Sequence, residues 1–194
     1  YGVLRLRAQL DKAILKAAKS KREKTIRRFK DLEPKLHDVL RLAAYQIIFL
    51  DRVPDHAAVS ETVAWCKRKI RPGAAGFVNG VLRALIRLRG ETLEADDPAA
   101  RAFHERRDLL PLSSGKAVAF TQPVFSEDPT RRLGEQASIG EALLRSWISV
   151  GFDIALARAS HSLMQPPITL HRADGTAEVF TASHAELVEI LATE

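Results

Sequence analysis

Residues 39–88 read VLRLAAYQIIFLDRVPDHAAVSETVAWCKRKIRPGAAGFVNGVLRALIRL, and this stretch decides the fold. Its apolar residues recur at intervals of three and four, the spacing of amphipathic helices. Two turn signals divide it: Asp51-Arg52-Val53-Pro54-Asp55-His56 and Gly73-Ala74-Ala75-Gly76. One helix is expected from near Pro34, a residue tolerated at the first helical position, to about Leu50. Leu36, Val39, Leu40, Leu42, Ala43, Ile47, Ile48 and Leu50 cover most of its circumference, which places it in the middle of a bundle. Asp55 is positioned to cap the next helix by accepting a backbone N–H. On that helix Val59, Val63, Cys66 and Ile70 form one narrow stripe. Arg71-Pro72-Gly73 stops it, because proline cannot continue the hydrogen-bond ladder. A further helix over about residues 75–88 buries Phe77, Val78, Val81, Leu82 and Leu85. Arg83 and Arg87 share its opposite face, and Gly90 stands where a helix stop is expected.

Working outward, Leu6, Leu10, Ile14 and Ala17 mark an earlier helix. Its Arg5, Lys12, Lys16 and Lys19 cluster about 140° away from that stripe. Residues 20–30, SKREKTIRRFK, are a charge-dense connector. Beyond Gly90 the character changes. Pro98, Pro111, Pro123 and Pro129, with Ser113-Ser114-Gly115 among them, make residues 91–135 an expected linker. Within it, residues 116–120 alternate like a short strand. Residues 136–194 are expected to form a small α/β part. Helical periodicity covers 139–164 with a break at Gly151, and Pro166-Pro167 ends it. Residues 168–170 and 179–180 then pair as strands about an Asp174-Gly175 turn, before a capped helix over 183–191. The fold class is therefore mainly α: an antiparallel bundle over residues 1–90, a linker, and a small α/β fragment.

Charge is unevenly spread. The chain carries a formal +6, but residues 1–90 hold 21 Lys/Arg against 8 Asp/Glu and the remainder 9 against 16, balances of +13 and −7. A concentrated positive field favours a polyanion through phosphate contacts and counterion release. No apolar run approaches the ~20 residues that span a bilayer, so no membrane partner is expected. The opening residues enter a helical pattern directly rather than a signal peptide. The single cysteine excludes an internal disulfide and fits a reducing cytoplasm. The chain opens on Tyr1 and its one methionine is Met164, so a fragment of a longer protein is expected.

The runs AAYQIIFLDRVPDHAAVSETV (43–63) and GAAGFVNGVLR (73–83) lie in order at natural spacing. Together they resemble the NusB-like domain at the front of bacterial ribosomal-RNA cytosine-C5 methyltransferases, the Sun/Fmu/RsmB group. That resemblance implies an all-helical, RNA-binding bundle, then a linker, an RNA-recognition-like subdomain and an S-adenosylmethionine-dependent catalytic domain. Residues 1–5 resemble the second half of the bundle's usual opening, so its first helices are expected to be missing. Gln165-Pro166-Pro167-Ile168-Thr169-Leu170 resembles the junction into the catalytic half. His171-Arg172-Ala173 stands where the family has an Arg-Val-Asn type sequence. The family's Gly-rich methyl-donor loop and Pro-Cys or Thr-Cys pair do not occur in the chain. The chain alone is therefore expected to be inactive, with S-adenosylmethionine held only by the missing catalytic domain. RNA is the implied partner, ribosomal RNA foremost, together with that missing domain. A free-standing NusB-type factor that regulates transcription by antitermination is the first alternative. It should end soon after the FVNGVLR helix, whereas 104 residues follow Gly90 here. A helical scaffold using its basic face for acidic proteins is the second.

Among candidate residues, Arg5, Lys12, Lys16, Lys67, Lys69, Arg71, Arg83 and Arg87 are expected to contact RNA. Asp55 and His56 read better as a helix start than as a catalytic pair, since no nucleophile accompanies them. Cys66 shares a stripe with Val63 and Ile70 and reads as a small buried hydrophobe. The six histidines and one cysteine give no metal-ligand spacing, and no catalytic, cofactor or metal residue is assigned. The Gly73–Gly76 run lacks the ending of a nucleotide P-loop and reads as a tight interhelical turn, although a phosphate at the following helix start fits equally well. Trp65 is expected to pack on a second neighbouring helix or on the segment missing from the start, with base stacking as the alternative. Asn79 is either a satisfied bridge or an exposed contact.

Overall fold

The structure, a computed structural model, describes residues 2–19, 31–164, 168–171 and 177–180. A single turn, α1 (Gly2–Arg5), breaks at Leu6 and restarts as α2 (Arg7–Ala18). Three longer helices follow: α3 (Pro34–Phe49), α4 (Asp55–Lys69) and α5 (Pro72–Leu88). Proline stands in the first turn of both α3 and α5, where its missing N–H costs no hydrogen bond. The four helices bury Leu10, Ile14, Leu40, Ile47, Val78, Leu82 and Leu85 in one core. Alanines 13, 43, 44, 58, 74 and 75 are also buried there, and their small side chains allow the helices to approach closely.

Several sequence expectations shift in detail. Leu42 (53 % exposed) and Leu50 lie at the surface, so α3 is not covered on all sides. Val63, Ile70 and Phe77 are only half-buried, at the edge of the core. Asp55 does not cap α4; its carboxylate instead takes the Arg89 guanidinium at 2.6 Å. The Gly73–Gly76 run is not a separate turn, because α5 already starts at Pro72 and Ala74 and Ala75 are buried. Gly90 is no helix stop either. It sits in β1 (Arg89–Leu93), where a Cβ would come within 2.5 Å of the Ala119 carbonyl oxygen.

Residues 91–135 are the largest departure from expectation. They are not an extended linker but part of one compact unit that runs from the N-terminus to Leu163. β1 pairs antiparallel with β3 (Ala117–Phe120), which pairs antiparallel with β2 (Leu109–Pro111) on its other side. Side chains alternate across a strand. Leu110, Val118 and Phe120, with Phe125 from the following loop, accordingly close the bundle core. Leu109 and Ala119 join a second core with Phe103, Leu133, Leu144 and Ala159. That core is built by α6 (Pro98–Arg101), a 3₁₀ turn (Phe103–Glu105), α7 (Pro129–Ala137), α8 (Glu141–Ile148) and α9 (Phe152–Leu163). The helices read from periodicity over 139–164 are α8 and α9, with Gly151 between them at φ 153°.

Separately, β4 (Ile168–His171) and β5 (Ala177–Phe180) form an antiparallel hairpin in a second compact unit, Met164–Glu194. The connector 20–30, the Asp174-Gly175 turn and the helix expected over 183–191 lie outside the described residues. The fold is mainly helical with a small sheet, as the sequence implies.

Candidate nucleic-acid interface

α4 and α5 are antiparallel neighbours joined by residues 70–71, whose N–H groups both donate to the Cys66 carbonyl. Between Asp55 and Leu88 the sequence places six Lys/Arg against two Asp/Glu. One of those two acids, Asp55, is already paired with Arg89. The outward face of α5 is distinctive. Gly73, Gly76, Gly80, Arg83 and Arg87 are all exposed and follow one another at helical spacing. A Cβ placed at Gly76 or Gly80 would meet nothing within 4 Å. The first turns of this face are thus bare backbone, and the last two carry guanidinium groups. Arg83 is held in place, with its Nε–H donating to Asn79 Oδ1 at 3.0 Å.

Beside this face, α4 and α5 enclose an open groove of about 580 Å³. Val59, Val63 and Ile86 give it apolar walls, and His56, Ser60, Asn79 and Arg83 supply polar ones. Lys67 follows Ser60 and Val63 at i+7 and i+4, on the same side of α4. On the other flank Trp65 is 43 % exposed, with Lys69 one turn further on. Among the described residues the Trp65 ring is therefore only partly covered.

The eight expected RNA contacts separate into two groups. Lys67, Lys69, Arg71, Arg83 and Arg87 are exposed on α4, α5 and the link between them. Within this group Arg71 is also tied to Glu33 at 3.2 Å. Lys12 and Arg5, on the first two helices, are engaged by other parts of the fold. Lys12 Nζ pairs with the nearly buried Glu135 at 2.6 Å, and Arg5 donates to the Ser162 carbonyl. Lys16 is half-buried. Arg68 and Arg52, both exposed, were not singled out in the sequence, although Arg68 stands in the same basic run as Lys67 and Lys69. His56 and Ser60 were also missed as groove residues, since only the juxtaposition of two helices brings them opposite Asn79. Asp55 is paired with Arg89, and His56 lines the groove. Cys66 is fully buried, and burial pushes its thiol pKa up, away from the reactive thiolate. Among the described residues no group of His, Cys, Asp or Glu could hold a metal ion, and no helix is long and apolar enough to cross a membrane.

The model of the NusB family matches residues 1–87, the span of the helical bundle. Those residues form a NusB-family domain. The whole chain is also similar to the "Probable ribosomal RNA small subunit methyltransferase B" of Bacillus subtilis, at 30 % identity over all of this chain and 34 % of that protein. It is 34 % identical to the ribosomal RNA small subunit methyltransferase B of Escherichia coli O157:H7, over 54 % of this chain and 23 % of that one. The chain thus spans about a third of the length of its Bacillus relative. No solved structure matches significantly. The similarity to the Bacillus protein extends past the NusB-family domain into the sheet and α7–α9.

Proposed function

We propose that this chain is the RNA-engaging front part of a ribosomal-RNA methyltransferase, and that the outer surface of α4 and α5 makes the contact. The observation that carries this reading is the exposed stripe of α5, bare at Gly76 and Gly80 and cationic at Arg83 and Arg87. A sugar–phosphate backbone can approach bare helix closely, and guanidinium groups pair with phosphate in a planar, bidentate manner. Exposed Trp65 beside Lys69 offers a stacking surface next to a cation on the other flank of α4. Methyl transfer, and with it the S-adenosylmethionine site, is assigned to sequence outside these 194 residues. Acting on bacterial ribosomal RNA, such a protein would work in the cytoplasm. Antitermination is the runner-up, favoured by the family of residues 1–87 alone; the similarity over the whole chain to a protein named as a methyltransferase supports the first reading.

The test is RNA binding as a function of salt. Replacing Arg83 and Arg87 together by Ala should weaken binding to a ribosomal-RNA fragment. It should also flatten the slope of log K against log salt by about 0.7–0.9 per lost phosphate contact. The same affinity and slope as wild type would remove the α5 face from the interface.

A further inference from the structure

Resting on that reading, we propose that the groove between α4 and α5 receives a single unpaired nucleotide of the bound RNA. The first support is its shape. Its volume of about 580 Å³ lies within the ~300–1,000 Å³ typical of small-molecule sites. Its apolar sides, Val59, Val63 and Ile86, can cover the faces of a base taken out of its stack.

The second support is the donor pattern. Asn79 Oδ1 is occupied by Arg83 Nε–H, which leaves the Asn79 amide to offer N–H donors. Arg83 adds further N–H groups from its fork, whereas the Ser60 hydroxyl on the opposite helix donates to the Ala57 carbonyl at 3.2 Å. A lining so rich in donors suits an acceptor-rich ligand, such as a base carbonyl edge with its phosphate. The one carboxylate at the groove, Asp55, is neutralised by Arg89 at 2.6 Å and so presents little repulsion to a phosphate.

The third is continuity. Arg83 belongs both to the groove and to the exposed α5 stripe, so a strand tracking Gly76, Gly80 and Arg87 passes the groove mouth. Duplex RNA keeps its bases stacked and cannot fill the groove, whereas a loop or bulge can.

The experiment compares two RNAs on the full chain: a hairpin with a flexible uridine-rich loop, and a blunt duplex of the same stem. Wild type should prefer the hairpin by about tenfold, the scale of one stacked base. Ser60→Trp, a change at an exposed groove position, should abolish that preference, so that hairpin and duplex bind alike. Asn79→Ala should reduce the preference without blocking the groove, and remains informative if the tryptophan variant fails to fold. 4-Thiouridine in the loop should crosslink to peptides from α4 and α5. Equal binding of the two RNAs by wild type would overturn the groove proposal while leaving the RNA reading intact. Binding of neither would overturn both. A hairpin preference retained in both variants would also sink the groove assignment. So would self-association lost in Ser60→Trp with RNA affinity unchanged, which would give the groove to a second copy of the chain.

Discussion

At the scale of single residues, position in the fold decides what each charged or reactive group can do. Lys12 and Arg83 have similar surroundings in sequence, yet Lys12 is neutralised by Glu135 while Arg83 faces solvent with its guanidinium oriented by Asn79. Gln136 shows the same effect for an uncharged group. Its fully buried amide nitrogen shares its two hydrogens among the carbonyls of Phe103, Arg106 and Leu109, at 2.8–3.0 Å, and ties three parts of the fold together. Cys66 is inert by location. Its thiol should react with a soluble disulfide reagent at neutral pH only after denaturant is added, and Cys66→Ala should cost about 1 kcal/mol in packing. Because burial raises the thiol pKa, the stability linked to it is complete below the ordinary thiol range and declines as pH rises from that range through the raised folded-state value. Fast labelling of the native protein would show that α4 opens readily.

At the scale of elements, α3 and α5 supply most of the bundle core and α4 supplies much of its working surface. Ile47 is 2 % exposed in the middle of α3. Ile47→Ala should cost about 2–5 kcal/mol by leaving a cavity. Lys16→Ala on α2 should stay within about 0.5 kcal/mol. Denaturant titration measures both, and equal costs would mean that the packing of α3 is misassigned. α4 has only three buried residues, Ala58, Val59 and Cys66, and therefore contributes little to the core for its length. Its remaining circumference is free to carry Lys67, Arg68, Lys69 and Trp65.

At the scale of the whole molecule, the three-stranded sheet joins two cores. Leu110, Val118 and Phe120 face the NusB-family bundle, and Leu109 and Ala119 face α7–α9. Phe125, 1 % exposed and 6.4 Å from the Phe120 ring, seals the bundle side. Phe125→Ala should therefore lower the stability of the chain by about 3–5 kcal/mol, the cost of emptying a core aromatic site. A residue in a solvated linker would cost within about 0.5 kcal/mol. A calorimetric melt distinguishes the two, and a small cost would detach residues 91–135 from the bundle.

Sequence alone determined the existence of the helices of residues 34–88, because apolar spacing is a local property, although Pro72 reads there as a stop and in the structure opens α5. It also determined the basic character of the first ninety residues and the strand at Ala117–Phe120, whose alternation is legible over four residues. The tertiary structure decided the rest. Short strands separated by prolines look like linker until their partners are known, since β1, β2 and β3 pair through contacts distant in sequence. Asp55 has the composition of a cap, but Arg89 arrives from beyond the next helix and takes its carboxylate. Which cations remain for a polyanion, and that His56 and Ser60 face Asn79 and Arg83 across a groove, depend on how neighbouring helices are rotated against each other. That rotation is set by packing among many residues, so no single segment of the sequence encodes it.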